Sequence, residues 1–344
     1  MDIGTAQDLW KIDSVWLNTA QYGIPPRPAH EALSDAVATW RHGAGLPGPW
    51  GAAAASARRS FAALVGAPPE DIAQGTTTSQ LMGTLAASVP DGARVLVPEG
   101  DFTSAVFPWM AQADRGVRVT AVPLAGLAGA IDDDTWLVAF SLVQSADGTL
   151  SPAGDVLAAA RRHGARVAVD ATQAVGWLPI DATRYDALIC SCYKWLMAPR
   201  GLAYGYLAPG LRPLLRPGSA GPSAAHDPLG AFYASEMKLA DDASRFDVAP
   251  NWFAAVAAAR SMDVLLEIGV PRIHAHNVAL ANRFRAVLGL EPGDSAITSV
   301  RAPDAGERLR AAGVVAAERA GGARVSFHAY STEEDADRAA AALL

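Results

Sequence analysis

Lys194 and Asp170 are the two residues whose types and settings most plainly invite chemistry. Asp170 ends the run Arg166-Val-Ala-Val-Asp170, and Gln173 follows three residues later. Lys194 follows a second apolar run, Ala187-Leu-Ile-Cys190, within Cys190-Ser-Cys-Tyr-Lys194-Trp-Leu-Met-Ala-Pro-Arg-Gly201. Short β-branched and apolar runs read as buried strands, so each delivers one ionisable group at or just beyond its carboxyl end. A lysine amine can condense with an aldehyde, and a carboxylate can keep a pyridine nitrogen protonated. That is the layout a pyridoxal 5′-phosphate (PLP) enzyme needs, with the lysine as Schiff-base residue and the aspartate preserving the ring as an electron sink. A lysine without this setting would say nothing, because most lysines are solvated surface groups.

The elements that must position these residues alternate in type. Asp71–Ala87 reads as a turn feeding a helix with Thr or Ser near its start. Strands are expected at Arg94–Pro98, Val117–Pro123, Thr135–Ser141 and Arg166–Asp170, with a helix over Gly154–His163 stopped by Gly164. Strands alternating with helices predict a mostly parallel sheet covered on both faces. Beyond Asp247 the pattern turns helical, and Trp252–Ile268 would bridge to a second domain. Ser295–Val300 and Ala323–His328 read as strands and Thr332–Leu344 as a terminal helix, with no fixed-period repeat.

Length and composition agree with an α/β enzyme. At 344 residues the chain is too long for one small core, so two packed domains are the default. Hydrophobic residues make up 51% and charged residues 18%, which suits buried sheet strands. The net charge of −7, with Lys and Arg scattered, argues against a nucleic-acid partner. The two cysteines, Cys190 and Cys192, lie at i, i+2 on one strand, so they form no disulfide framework and no zinc site. Their expected role is packing as reduced thiols. No signal-peptide pattern and no apolar run of spanning length is visible, so a cytoplasmic enzyme with no membrane partner is expected.

At Asp170-x-x-Gln173 and Ser191-Cys-Tyr-Lys194, and from about Leu17 to the C-terminus, the chain resembles the class V aminotransferase family of fold-type I PLP enzymes. That family includes cysteine desulfurases, kynureninase, isopenicillin-N-epimerase-like proteins and the C–S lyase of ergothioneine biosynthesis. The resemblance implies a large domain over residues 20–252 with a mostly parallel seven-stranded sheet. It implies a smaller α+β domain from residues 1–19 and 253–344. It also implies PLP as cofactor, an L-α-amino acid as substrate, and a homodimer.

Particular residues take roles from the same resemblance. Gly75-Thr76-Thr77 begins a helix, where unpaired N–H groups suit the cofactor phosphate, although an ordinary threonine N-cap reads the same way. Ser191 and Tyr193 flank the lysine. Tyr193 replaces the histidine usual in desulfurases, and its hydroxyl either serves the phosphate or packs. Phe102 aligns with the aromatic residue that stacks on the pyridine ring, with core packing as the competing role. Gln173 would meet the cofactor's phenolic oxygen, or cap a helix. Arg324 opens Arg-Val-Ser-Phe-His-Ala-Tyr-Ser-Thr-Glu-Glu-Asp, which resembles the signature whose arginine grips the substrate α-carboxylate. His328 and Tyr330 alternate with Ser326 on that strand and either line the site or face the core. Asn18 and Tyr22 belong to an N-terminal segment resembling the one that folds over the substrate. Ala249 stands where desulfurases often carry a threonine that serves the partner subunit's phosphate site, which leaves only backbone for that contact. Gly43-Ala-Gly45-Leu-Pro-Gly48 matches a dinucleotide fingerprint literally, but it follows a helical stretch and holds a proline, so it is a turn.

A conventional desulfurase needs a mobile cysteine shortly before the Arg324 position, and none lies between Val300 and Arg324. Cys190 and Cys192 sit on the strand entering the lysine, poorly placed for a persulfide carrier. The reading that follows is β-elimination from a cysteine derivative (a C–S lyase). Aminotransfer comes next, and epimerase, kynureninase-like or oxidative deaminase activity and a non-catalytic binding protein stay open. Trp50, Trp109, Gln144, Arg200 and Trp252 are further pocket candidates that sequence does not rank.

Overall fold

The structure is a computed structural model describing residues 1–344. The chain runs α1 (Ile3–Gln7), β1 (Val15–Trp16), α2 (Arg27–Arg41), α3 (Pro47–Leu64), β2 (Ile72–Gly75), α4 (Thr78–Ala86), β3 (Arg94–Pro98), α5 (Thr103–Met110), β4 (Arg118–Val122) and β5 (Thr135–Ser141). It continues α6 (Ala153–His163), β6 (Arg166–Asp170), β7 (Ala187–Ser191), β8 (Ala203–Leu207), α7 (Trp252–Ile268) and α8 (Val270–Val287). Last come β9 (Ile297–Val300), α9 (Ala305–Ala311), β10 (Val314–Val315), β11 (Ala317–Arg319), β12 (Gly322–Ser326) and α10 (Glu333–Ala341).

Seven strands form one sheet in the order β2-β8-β7-β6-β5-β3-β4. Every pairing from β7 to β4 is parallel, while β8 runs antiparallel to both β7 and β2. Side chains alternate across a strand, so Val167 and Val169 of β6 join one core and Ala168 the other. α3, α6 and α7 cover the first face through Phe61, Leu157 and Leu265; α4 and α5 cover the second through Met82 and Trp109. Both faces being buried is why these strands read as continuous apolar runs. Gly164 takes φ 69° at the end of α6, a left-handed turn that releases the chain into β6.

One expectation is corrected. Ile72–Gly75, read from sequence as part of a turn, is the edge strand β2, paired antiparallel with β8 from Ile72↔Tyr206 to Gly75↔Ala203. Of its four residues only Ile72 is β-branched, so its strand character comes from pairing with β8, not from propensity.

Arg58 pins this edge. Its guanidinium pairs with Asp247 and donates to Ile72 O at 3.0 Å, while the second Asp247 oxygen accepts from Gln74 N at 2.7 Å. Burial pushes the Asp247 carboxyl up to about 6 against the pull of Arg58. The folded state therefore holds an extra proton from the ordinary value up to about 6, and this group's stability contribution falls as pH rises through that window. Arg58→Met should leave an unpaired buried carboxylate and destabilise the fold by about 3–5 kcal/mol near neutrality. Urea midpoints of parent and variant should converge as pH falls from about 7.5 to about 5. A gap of equal size at both ends would show that the buried charge is not its cause.

The chain ends meet. β1 pairs in parallel with β10, Ser326 N donates to Leu17 O at 2.8 Å, and Ala20 N donates to Ser326 Oγ at 3.0 Å. The antiparallel trio β11-β12-β9 packs with α8, α9 and α10 around Phe284, Leu309, Phe327 and Leu17. No helix is long and apolar enough to cross a membrane.

Candidate active site

β5 and β6 end opposite one another at Ser141↔Asp170, and Asp170 pairs with Ile189 of β7, two residues before that strand ends. A ligand site at the carboxyl ends of parallel strands is where open α/β sheets place one. Thr76, Thr77, Phe102, Asp170, Gln173, Ser191, Tyr193 and Lys194 all line one cavity of about 300 Å³ there.

The Lys194 side chain is buried, and its amine makes no hydrogen bond within the protein. The amine lies 5.3 Å from the centre of the Phe102 ring and 5.7 Å from that of Tyr193. Burial lowers its pKa to about 8, Asp170 opposes the shift, and Arg324 adds to it. Asp170 is likewise buried, which raises its pKa against the hydrogen bonds from Thr172 and the charge of Lys194. One carboxylate oxygen accepts from Thr172 N at 2.8 Å, and the other has no donor from the protein.

Hydroxyl groups tie the helix start to the strand ends. Ser191 Oγ accepts from Thr78 N at 3.0 Å and lies 2.8 Å from Thr78 Oγ1, which is 3.0 Å from Thr172 Oγ1. Thr172 Oγ1 also accepts from Ser191 N at 3.1 Å. Thr77 caps α4 by accepting from Gln80 N at 3.1 Å, and its own N–H is unclaimed. Thr78 and Thr172 are site residues that the sequence reading missed. Thr78 sits beside the Thr76-Thr77 pair, and the run Thr76-Thr77-Thr78-Ser79 was the available signal.

Phe102 stands at the N-cap of α5 and is held by Asp101. One Asp101 oxygen accepts from Phe102 N and Ser141 Oγ, each at 2.6 Å, and the other accepts from Ser141 N at 2.8 Å. The Gln173 amide nitrogen donates to Ala20 O at 2.9 Å and Ser145 Oγ at 3.1 Å, and its oxygen accepts from Trp195 Nε1 at 2.8 Å. Arg200, unranked from sequence, lines the cavity with its guanidinium 4.4 Å over the Tyr193 ring and no carboxylate partner. Trp109 is core, and Trp50 and Trp252 pack on each other at 5.4 Å. Gln144 is buried and bonds to Ser141 O.

Three sequence candidates lie off this wall. Arg324 is 1% exposed, donates from Nη1 to the carbonyl and hydroxyl of Ser145, and has no acidic partner; its Nε is unpaired. Burial takes its pKa down to about 10. Ser145, to which it is bonded, lines the cavity. Asn18 is buried in a bridge to Ser326 with Oδ1 unpaired, and Tyr22 packs on Trp16 beside a neighbouring cavity. His328 and Tyr330, expected on the last strand, follow its end at Ser326 and are buried in the core. His328 Nε2 lies 3.0 Å from Trp195 O, and Tyr330 OH lies 2.5 Å from Thr19 Oγ1.

A model of the class V aminotransferases matches residues 41–309. The chain belongs to the class V aminotransferase family. It is therefore a PLP-dependent enzyme of fold type I. The isopenicillin N epimerase of Streptomyces clavuligerus is 30% identical over 335 residues, covering 83% of each chain. The uncharacterized aminotransferase YcbU of Bacillus subtilis (strain 168) is 28% identical over 301 residues, 81% of this chain and 80% of the relative. Among solved structures, the cystine C–S lyase C-DES with its product cysteine persulfide superposes at TM-score 0.86 and 19% identity, covering 96% of this chain and 97% of that one. The cysteine desulfurase CsdA of Escherichia coli superposes at TM-score 0.83 and 18% identity, covering 99% and 97%.

The cavity fits the family's cofactor. It offers an unclaimed carboxylate oxygen on Asp170 and an amine on Lys194 that is free of protein partners. It adds an aromatic face on Phe102 and a helix start rich in hydroxyls for a dianion.

Proposed function

We propose that this class V aminotransferase acts on an L-α-amino acid, and that its reaction is β-elimination from a cysteine derivative, a C–S lyase. The carrying observation is the place of the thiols. Cys190 and Cys192 are wholly buried and line no part of the Lys194 cavity, and burial pushes both thiols up, far from thiolate. A desulfurase hands sulfur to a reactive thiolate, which this chain lacks. The superposition on a C–S lyase adds support at the level of fold.

Bound in the cavity, PLP supplies a pyridinium ring that withdraws electrons from the substrate's Cα. The free oxygen of Asp170 would hold the proton on the ring nitrogen, with Thr172 N fixing the carboxylate. Thr76, Thr77, Ser191 and Tyr193 would donate to the phosphate, Phe102 would cover one ring face, and Gln173 would stand near the phenolic oxygen. Lys194 Nζ would take the proton from Cα, a task that a pKa of about 8 suits because a neutral amine is accessible near neutrality. Arg324 would bind the α-carboxylate, and Asn18 and Tyr22 would close over the substrate. A homodimer, a cytoplasmic setting and a two-domain division at residues 20–252 against 1–19 and 253–344 complete the reading. Aminotransfer is the second reading, favoured by the likeness to YcbU.

A single-turnover absorbance experiment on the holoenzyme decides between them, with alanine, glutamate, cysteine and S-alkyl cysteines as challenge. Recovery of the cofactor band with pyruvate, ammonia and thiol released would establish elimination. Lasting loss of the band with an oxo acid formed would establish aminotransfer. Inversion at Cα without either product would point to an epimerase.

Asp170→Asn should lower kcat by about 10²–10⁴-fold, the equivalent of losing a buried charge pair. A fall of less than tenfold would remove Asp170 from the ring-nitrogen role.

A further inference from the structure

We propose that a second, apolar cavity beside Lys194 receives the substrate's side chain and selects amino acids with a bulky apolar substituent. This rests on the reading of the Lys194 cavity as the amino-acid site. The second cavity measures about 340 Å³ and is walled by Tyr22, Pro25, Ala29, Leu33, Met197 and Pro199. It shares Tyr193 and Arg200 with the Lys194 cavity, so the stacked pair, 4.4 Å apart, is the partition between the two. Arg200 is exposed and unpaired, so its swing breaks no ion pair.

Two features fit an apolar occupant. No acidic residue lines the chamber, and beyond the partition pair its ionisable groups are His30 and the Tyr22 phenol, both exposed to solvent. A cavity of about 150 Å³ with apolar walls already accepts a benzene ring, so this one has room for an aryl or branched alkyl group. The chamber is also fixed to the lysine. Gly23 N donates to Tyr193 O at 3.0 Å, and a Cβ on Gly23 would overlap Lys194 O and come within 2.7 Å of Met197 Cγ. The segment carrying Tyr22 thus lies directly on the backbone that delivers the amine.

The test titrates the holoenzyme with L-alanine, L-norvaline, L-norleucine and L-phenylalanine, following the absorption of bound PLP. None of these carries a β leaving group, so the result is independent of whether the enzyme eliminates. Binding should tighten by about fourfold per added methylene, and phenylalanine should bind more tightly than alanine. Leu33→Trp, which fills the chamber, should cut the alanine-to-phenylalanine ratio of dissociation constants tenfold or more. Leu33→Ala, which enlarges it and serves if the tryptophan variant does not fold, should favour phenylalanine further. A flat series in the parent, or an unchanged ratio in a folded variant, overturns the proposal. Absence of any spectral response to any amino acid would instead overturn the site assignment beneath it.

Discussion

Lys194→Ala is expected to fold normally and to lose amino-acid turnover by about 10⁴-fold or more. The fold should survive because the amine makes no hydrogen bond within the protein, so nothing is left unpaired by its removal. Its charge is a liability in the substrate-free, cofactor-free protein, because burial lowers its pKa from 10.5 to about 8. Below about 8 the amine is charged in both states, and the folded state bears the whole penalty. As pH rises through the window up to 10.5, the folded state sheds its proton first and the penalty lifts. The apo variant should therefore melt above the apo parent near neutrality, and the difference should shrink toward pH 10.5. Small primary amines added to the holo variant should restore part of the Cα proton transfer. Turnover within tenfold of the parent would exclude Lys194 as the reacting amine.

Arg324→Met should separate binding from stability in the same manner. The guanidinium is buried, bonded only to neutral oxygens of Ser145, and has no acid in reach. An uncompensated buried cation costs folding energy, so an isosteric apolar replacement should hold or raise the melting temperature. If that cation waits for the substrate carboxylate, kcat/KM should fall by about 10²–10³-fold, the usual loss when one partner of a buried charge pair goes. Amines lacking a carboxylate should react alike with parent and variant. An unaltered kcat/KM for amino acids would assign Arg324 to structure alone.

The large sheet was legible because its parallel strands are buried on both faces, and Arg94–Pro98, Thr135–Ser141 and Arg166–Asp170 stand at the expected bounds. β2 escaped because an edge strand with a single β-branched residue depends on its neighbour β8. Asp170 and Lys194 announced themselves through strand ends and family motif. Thr78 and Thr172 did not, since a hydroxyl gains meaning only when strand order sets β6 beside β7 and brings α4 onto both. Arg200 was similarly opaque, because a loop side chain takes its direction from tertiary contacts, here the Tyr193 ring.

The pairing of β1 with β10, and of Leu17 with Ser326, has a consequence for how the molecule is born. Some three hundred residues separate these partners, so the contacts cannot form until the segment up to Ser326 has left the ribosome. At about 5–20 residues per second, the first segment waits roughly 15–60 s for its counterpart. The strands that lead into Asp170 and Lys194 can assemble in that interval, but Arg324 and residues 17–20, which bond to Ser326, cannot yet be seated. The nascent chain therefore holds the buried Lys194 amine before it holds the buried guanidinium of Arg324.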